Sequence, residues 1–588
     1  MPSMTIDPDR TTMTTDRKRS GRPTSRRTAA LRRIVLGGLV LASAAAADAV
    51  TTEMPDVADA RSGTSRAVDI RRDLRTMPRV SFETHESTSI PTLPATTSAR
   101  KTEVSNDPVG VVDSLVGDQQ RATNKATTSL DVAIDIAGLG FTGATPADVS
   151  SDVGGDHVVQ MVNAPGGSVF AVFERSSGAM VAGPSRLESL WPSGGACTEG
   201  WGHAGVVFDA SAGRWVLHEI GAGNHLCVYV SQSVDPVAGS WYGYDFELPR
   251  FPDLPRIGVW SDSYVVTTNE DLPAVYALER SAMLAGDPAG WLRFAAPALD
   301  GFGFQALTPV DLDGPDAPPV GTGGLLIRQV DGALHGGSDR LELFELSVDW
   351  STPQSASLSE ATPLAVAAFD STLCGTAARS CIPQPGTTIA LDPVREVVAS
   401  LPHYRRYPSH ESLVGTFVVD TDGTDHAGLR WFELRRTNAS WTVHQEGTYS
   451  PDGLHRWIGG LAADRDGNLA LVFNASDGSS VYPSIRVTGR ESNDPPGVMT
   501  AGDIELRTGT SAQVVGRSPN QWGWSTALSV DPDDDCTFWT TAAFADAGAW
   551  STRLTSFRFP SCDAAGPDPL FADGFESGDT AAWGATAP

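Results

Sequence analysis

The chain has 588 residues, 40% of them hydrophobic and only 19% charged, with 59 Gly and 40 Pro. That is enough apolar material for a sizeable core and too much Gly and Pro for a helical bundle or coiled coil. The net charge is −28, and beyond residue 101 the chain keeps 26 of its 43 basic residues but 60 of its 71 acidic ones. A body this acidic, with no basic run, repels phosphate backbones and excludes a nucleic-acid partner. Lysines occur only at Lys18, Lys101 and Lys125, so Schiff-base chemistry has no candidate in the folded body.

Arg26, Arg27, Arg32 and Arg33 precede an apolar run from Ile34 to Ala47. The run is too short to span a bilayer and is followed by small residues, so residues 1–49 read as an export signal cleaved after Ala49. Ser25-Arg26-Arg27 resembles a twin-arginine signal, but Ala29 stands where that pattern takes a bulky apolar residue, and both the general and twin-arginine routes stay open. No later stretch reaches 18 apolar residues, so no transmembrane segment is expected. Residues 50–130 are rich in Thr, Ser, Arg and Pro, hold no Trp, and read as a disordered or propeptide-like arm. The protein is expected in the periplasm, at the cell surface or outside the cell, as a monomer kept soluble by its acidity.

All six cysteines lie in the exported body, an even number that favours disulfides. Proximity suggests Cys197–Cys227, Cys374–Cys381 and Cys536–Cys562, among fifteen formal connectivities. No C-x-x-C is present.

From residue 131 to 562 the chain is dominated by short alternating runs, each an apolar strand, an Asp-led turn and a second strand. Examples are GVVFDASAGRWVLHEI from Gly205, GVWSDSYVVTTN from Gly258, TTIALDPVREVVAS from Thr387, GGLAADRDGNLALVF from Gly459 and ALSVDPDDDCTFWTT from Ala527. The turns centre near Asp152, Asp209, Asp262, Asp313, Asp392, Asp464 and Asp531. Seven recurrences at this spacing predict an all-β fold, a seven-bladed β-propeller. A six-bladed ring and two tandem sandwiches are the alternatives.

Longer motifs add a resemblance. ATPADVSSDVGGDHVVQMVN from Ala144 resembles the PPDTNGDVGPNHYVQMVN opening of a family of exported bacterial propeller-like proteins. PRIGVWSDSYVVTTN, DRLELFELSVDW, HYRRYPSHESLVG, GLRWFELRR, LHRWIGGLAADRDGNLAL and YPSIRVTGRESNDPPG with VDPDDDCTFW extend it over roughly 140–562. The resemblance implies the propeller but no activity. His203-Ala204-Gly205 departs from it, standing where relatives read GDP. The tail from 563 to 588, with LFADGFESGD, is similar to the ends of many exported Gram-negative bacterial proteins, which implies sorting or surface retention.

Candidate chemistry is sparse. DLDGPD (Asp311, Asp313, Asp316) and DTDGTD (Asp420, Asp422, Asp425) place carboxylates around a glycine as a calcium loop does, without the full twelve-residue pattern; solvated turns are the alternative. Asp533, Asp534 and Asp535 are consecutive and point to different sides. SPDGLHRW from Ser450 is a degenerate sialidase-type box, alone and without an arginine triad. His403, His410 with Glu411, and His455 with Arg456 could supply a general base, although neighbours on a strand face opposite ways. Nucleophile elbows, zincin motifs, phosphate loops and dinucleotide fingerprints are absent. Two functions remain: a non-catalytic propeller binding a glycan or protein partner through loops around its channel, or a carbohydrate-active hydrolase or lyase on the same scaffold.

Overall fold

The computed structural model describes residues 61–82, 88–89, 112–123 and 128–562, with short gaps at 271, 300–305, 376–378, 396, 439 and 516–520. The expected export signal and C-terminal sorting tail lie outside these residues.

Seven mainly antiparallel sheets follow one another along the chain, the blade 5 sheet also taking Asp311–Asp313 in parallel beside His403–Arg406. Blade 1 is Ser150–Gly154, His157–Ala164, Gly167–Glu174 and Met180–Arg186. Blade 2 is Gly200–Asp209, Arg214–Gly221, His225–Ser231 and Ser240–Glu247. Blade 3 is Arg256–Val259, Ser263–Thr268, Ala274–Glu279 and Ala289–Ala295. Blade 4 runs Thr308–Pro309, Gly324–Val330 and Arg340–Ser347, edged by Ser357–Leu358 and Thr362–Ala365. Blade 5 is His403–Arg406, Glu411–Asp420, Ala427–Arg436 and Trp441–Tyr449. Blade 6 is His455–Ala463, Leu469–Ser476, Ser484–Arg490 and Ile504–Arg507. Blade 7 is Ala527–Val530, Phe538–Asp546 and Ala549–Arg558, completed by Asp131–Gly140 from the start of the body, which pairs antiparallel with Ala549–Arg558. This return of an early strand to the last blade closes a seven-bladed propeller and rules out the six-bladed and tandem-sandwich alternatives.

No blade buries its own apolar faces, so each packs against two neighbours. Val159, Met161, Phe170 and Val172 of blade 1 share a core with Trp215, Leu217 and Tyr229 of blade 2. Val216, Val228 and Tyr244 of blade 2 pack on Tyr264, Val266 and Tyr276 of blade 3. Trp260 and Val265 continue into blades 4 and 5 through Leu326, Phe344, Tyr404 and Phe432. Ala470 and Val472 of blade 6 meet Phe538, Phe544 and Phe557 of blade 7.

All the first strands run one way, so the turns into the second strands collect on one rim. Six of the seven expected Asp positions lie at or within a few residues of these turns, and several latch neighbouring blades. Arg280 grips Asp209 through Nε and Nη2 (2.6 and 2.8 Å), Arg175 reaches Asp531 (2.6 Å), and Tyr407 donates to the Asp464 carbonyl (2.7 Å). The exception is Asp392. TTIALDPVREVVAS is not assigned as a hairpin; it belongs to an irregular insertion between blades 4 and 5 whose described residues make isolated bridges from Ile382 to Leu391 and from Asp370 to Asp420. Its apolar residues Leu391, Val394, Val397 and Val398 are buried against the ring instead. Alternation there reported burial rather than a strand.

Of residues 50–130, read as a disordered or propeptide-like arm, only 61–82, 88–89, 112–123 and 128–130 are described, and the rest lies outside the described residues. Arg61–Ser65 pairs with the outer strand of blade 3, and Val68–Arg71 with that of blade 2. The helix Val116–Thr123 lies beside blade 5, where buried Asp113 accepts from Arg430 (2.8 Å) and Thr448 (2.7 Å). Gln119 donates to the Met499 carbonyl and accepts from its N–H.

The three disulfides are Cys197–Cys227, Cys374–Cys381 and Cys536–Cys562, as proximity suggested. Among the described residues no helix is long and apolar enough to cross a membrane.

Candidate functional site

The central channel is bounded by the first strands, and its character changes along the axis. At the rim where those strands begin lies a cavity of about 80 Å³, bounded by Asp148, His203, His218, Arg256 and Trp524. A cavity of about 70 Å³ follows, sharing Ser150, Val206, Val207, Leu401 and Ser525 with the first and adding Asp152, Asp311 and His403. At the turn rim the channel widens into a vestibule of about 620 Å³. Its wall combines apolar Val234, Val259, Leu312 and Pro532 with charged Arg280 and Asp316.

The start-rim cluster is built from blades 1 to 3. His203 stands between two carboxylates, Nδ1 at 3.7 Å from Asp148 and Nε2 at 3.8 Å from Asp253. Asn163 holds the arrangement: its Oδ1 accepts from the His203 N–H (2.8 Å) and its Nδ2 donates to Asp148 (2.7 Å). Asn269 donates to Asp253 (2.8 Å). Asp148, His203 and Leu254 all have left-handed backbone (φ 42°, 57° and 51°), a conformation costly for such residues and concentrated at functional sites. The departure at 203–205 has a local cause as well: a Cβ on Gly205 would lie 1.9 Å from His218 Nε2. Burial pushes Asp148 up to about 6, opposed by His203 and Asn163. Burial, helped by His203, pushes His218 down to about 3. Burial also lowers Arg256 to about 10, against the pull of Asp148, so it stays cationic at neutral pH.

The mid-channel carboxylates join blades. Asp152 accepts from the Phe208 N–H of blade 2 (2.6 Å), and Asp311 from the Val259 N–H of blade 3 (2.7 Å). Burial raises Asp152 to about 7 and holds Asp311 well above the usual carboxylate range.

The residues singled out from sequence do not assemble into one site. His403 lines the mid-channel, 3.6 Å from Asp313, with its pKa lowered by burial. His410 lies on the blade 5 turn, stacked on Tyr407 and bonded to Ser409. Glu411 points elsewhere, held by Tyr404 and by Arg436 (2.6 and 2.7 Å). His455 packs edge-on against His426, and burial lowers it to about 4. Arg456 is buried over Tyr449 and Phe473 and pairs with Asp452 and Asp503; the box-like SPDGLHRW is thus a structural turn.

In the acidic loops most of the carboxylates are engaged within the protein. Asp420 accepts from the N–H groups of Asp422, Gly423 and Asp425, Asp422 from Thr424, and Asp425 from Cys374. Asp313 faces Arg405 at 3.6 Å, Asp311 is a blade latch, and Asp316 is exposed. Asp534 caps Cys536 and Thr537, and Asp535 pairs with Arg405. Among the described residues no three His, Cys, Asp or Glu side chains are grouped to hold a metal.

Sequence reasoning missed Asp148, Asp253, His218 and Arg256. One signal was present: His218-Glu219 interrupts the otherwise apolar strand WVLHEI, and a buried polar pair there asks for a reason.

No known protein family matches the chain, and no curated protein does. Among solved structures it is similar to the WD40 domain of SCAP from fission yeast (8% identity, 74% of this chain and 97% of that one, TM-score 0.30). It is also similar to the Dos1 propeller (9%, 73% and 95%, 0.33) and to the polysaccharide lyase Uly1 (9%, 74% and 95%, 0.34). Scores this low say nothing of activity; the blade count rests on the strand order above.

Proposed function

We propose that this is an exported, non-catalytic propeller that binds a glycan or protein partner at the vestibule on its turn rim. The observation that carries this reading is the dispersal of the candidate catalytic groups. His403, His410, Glu411, His455 and Arg456 occupy separate places, most of them tied into packing or blade-joining bonds. The vestibule, by contrast, has the volume and the mixed apolar and charged wall of a ligand site, for which roughly 300–1,000 Å³ is usual. Export is supported by the apolar N-terminal run and by the three disulfides.

The test is a glycan array with the purified protein, followed by reducing-end and unsaturated-product assays on whatever binds. Binding without turnover, lost in Val234→Trp, is the expected result. Product formation would replace this reading with that of a hydrolase or lyase. Export itself predicts a mature N-terminus near Val50, and intact mass showing residues 1–40 retained on secreted protein would contradict it.

A further inference from the structure

The vestibule wall separates the two partner classes left open above. Its volume of about 620 Å³ is about four times the roughly 150 Å³ that encloses a benzene ring, so it holds more than one side chain. The apolar part of the wall is aliphatic, with Val234, Val259, Leu312, Pro315 and Pro532, and Val234 is 45% exposed. Among the described residues of the wall there is no Trp, Tyr, His, Asn or Gln. Its aromatic ring, Phe208, is buried and tilted on Trp215. A sugar ring asks for an open aromatic face and for side chains with spare donors, and this wall is poor in both.

The charge within reach of solvent is one-sided. Arg280 is committed: Nε and Nη2 donate to Asp209, Nη2 also to Ser211, and Nη1 to the Ser261 carbonyl. Arg175 is shared by Asp531 and Asp533 (2.6 and 2.7 Å), so one cation faces two carboxylates, and the Asp533 side chain is still 56% exposed. Beside the wall, Arg214 donates to the Ala212 and Gly213 carbonyls, and exposed Arg406 to that of Ala317. Asp316, in the wall, and Asp156, next to Gly155 of the wall, are exposed and pair with no cation among the described residues.

We propose that the vestibule docks a polypeptide segment in which a Lys or Arg stands beside aliphatic side chains. The aliphatic groups fill the space against Val234, Val259 and Leu312, and the cation pairs with Asp316. An exposed ion pair adds little affinity by itself, so aliphatic burial supplies most of the binding and the carboxylates supply the selectivity. The proposal rests on the vestibule being the binding site.

The experiment is titration calorimetry on the full exported chain, run beside the glycan array. The probes are end-blocked heptapeptides in which Lys alternates with Leu, Glu with Leu, or Lys with Ser. The Lys/Leu peptide should bind with a Kd of about 100 μM or tighter, and more tightly than any glycan of the array. The Glu/Leu and Lys/Ser peptides should bind at least about 10-fold more weakly. Asp316→Lys should weaken the Lys/Leu peptide about 10-fold with the melting curve retained, and Val234→Trp should abolish its binding. Glu360→Lys, between the edge strands of blade 4, should leave it unchanged. Equal binding of the three peptides, or binding indifferent to both Asp316→Lys and Val234→Trp, would overturn the proposal. Glycan binding that is lost in Val234→Trp, with no peptide binding, would overturn it and leave the vestibule as the binding site. Binding of neither peptide nor glycan would overturn both.

Discussion

Gly205 shows how one missing side chain governs the start-rim cluster. An added Cβ would overlap His218 Nε2, so the ring or the backbone would have to shift. Gly205→Ala is therefore expected to cost about 1–3 kcal/mol in denaturant melts, whereas Gly453→Ala, with nothing within 4 Å, should be near neutral. Asp152 offers a titration test. Burial raises it from 3.8 to about 7, so between those values the folded protein holds a proton that the unfolded chain releases. Stability linked to this group is complete below about pH 4 and is lost as pH rises towards 7. Asp152→Asn removes that loss, so its stability relative to the parent should grow by up to a few kcal/mol from pH 4 to 7.5. A pH-independent difference would show that Asp152 ionises normally.

At the scale of elements, the N-terminal segment is the clearest case of context deciding structure. RSGTS and VDIR carry little strand signal of their own, yet they form the outer edges of blades 3 and 2 because those edges present unpaired backbone groups. Gly63 fits because its missing Cβ leaves room for the Trp291 indole, which would lie 2.5 Å away. Hydrogen exchange should find the amides of Val68–Arg71 protected like those of Ser240–Glu247. Asp113→Ala would strand much of the Arg430 charge in a buried site, although Glu446 and the Ala367 and Ala368 carbonyls remain. A loss of about 3 kcal/mol is expected, read as a lower denaturation midpoint. A loss under 0.5 kcal/mol would mean that the segment is not docked in solution.

For the whole molecule, the ring predicts cooperativity. Opening any blade exposes two interfaces, and the Asp131–Gly140 strand ties the start of the body to its end. Calorimetry should show one transition for residues 131–562, and limited proteolysis should give no pair of stable, comparable fragments. Reducing Cys536–Cys562, which closes a loop with a sequence separation of 26 beside that clasp, should lower stability by about 2–4 kcal/mol without dividing the transition.

What the sequence determined by itself was local and repetitive. Hairpin alternation, Asp-led turns and cysteine proximity each involve residues close in the chain, so the all-β class, seven blades and three disulfides were legible. Six Asp positions fell at or near the turns, and Asp209, Asp464 and Asp531 cap their own turns, which is a local device; Asp392 failed because burial in an insertion produces the same apolar alternation as a strand. Tertiary structure alone decided the rest. The His403, His410, Glu411, His455 and Arg456 group looked like a site because it is close in sequence, but pleating and blade geometry send its members to different places. Asp148, His203, His218, Asp253 and Arg256 span more than a hundred residues and meet only because three first strands converge on one axis. No local pattern encodes that convergence; it follows from closing the ring.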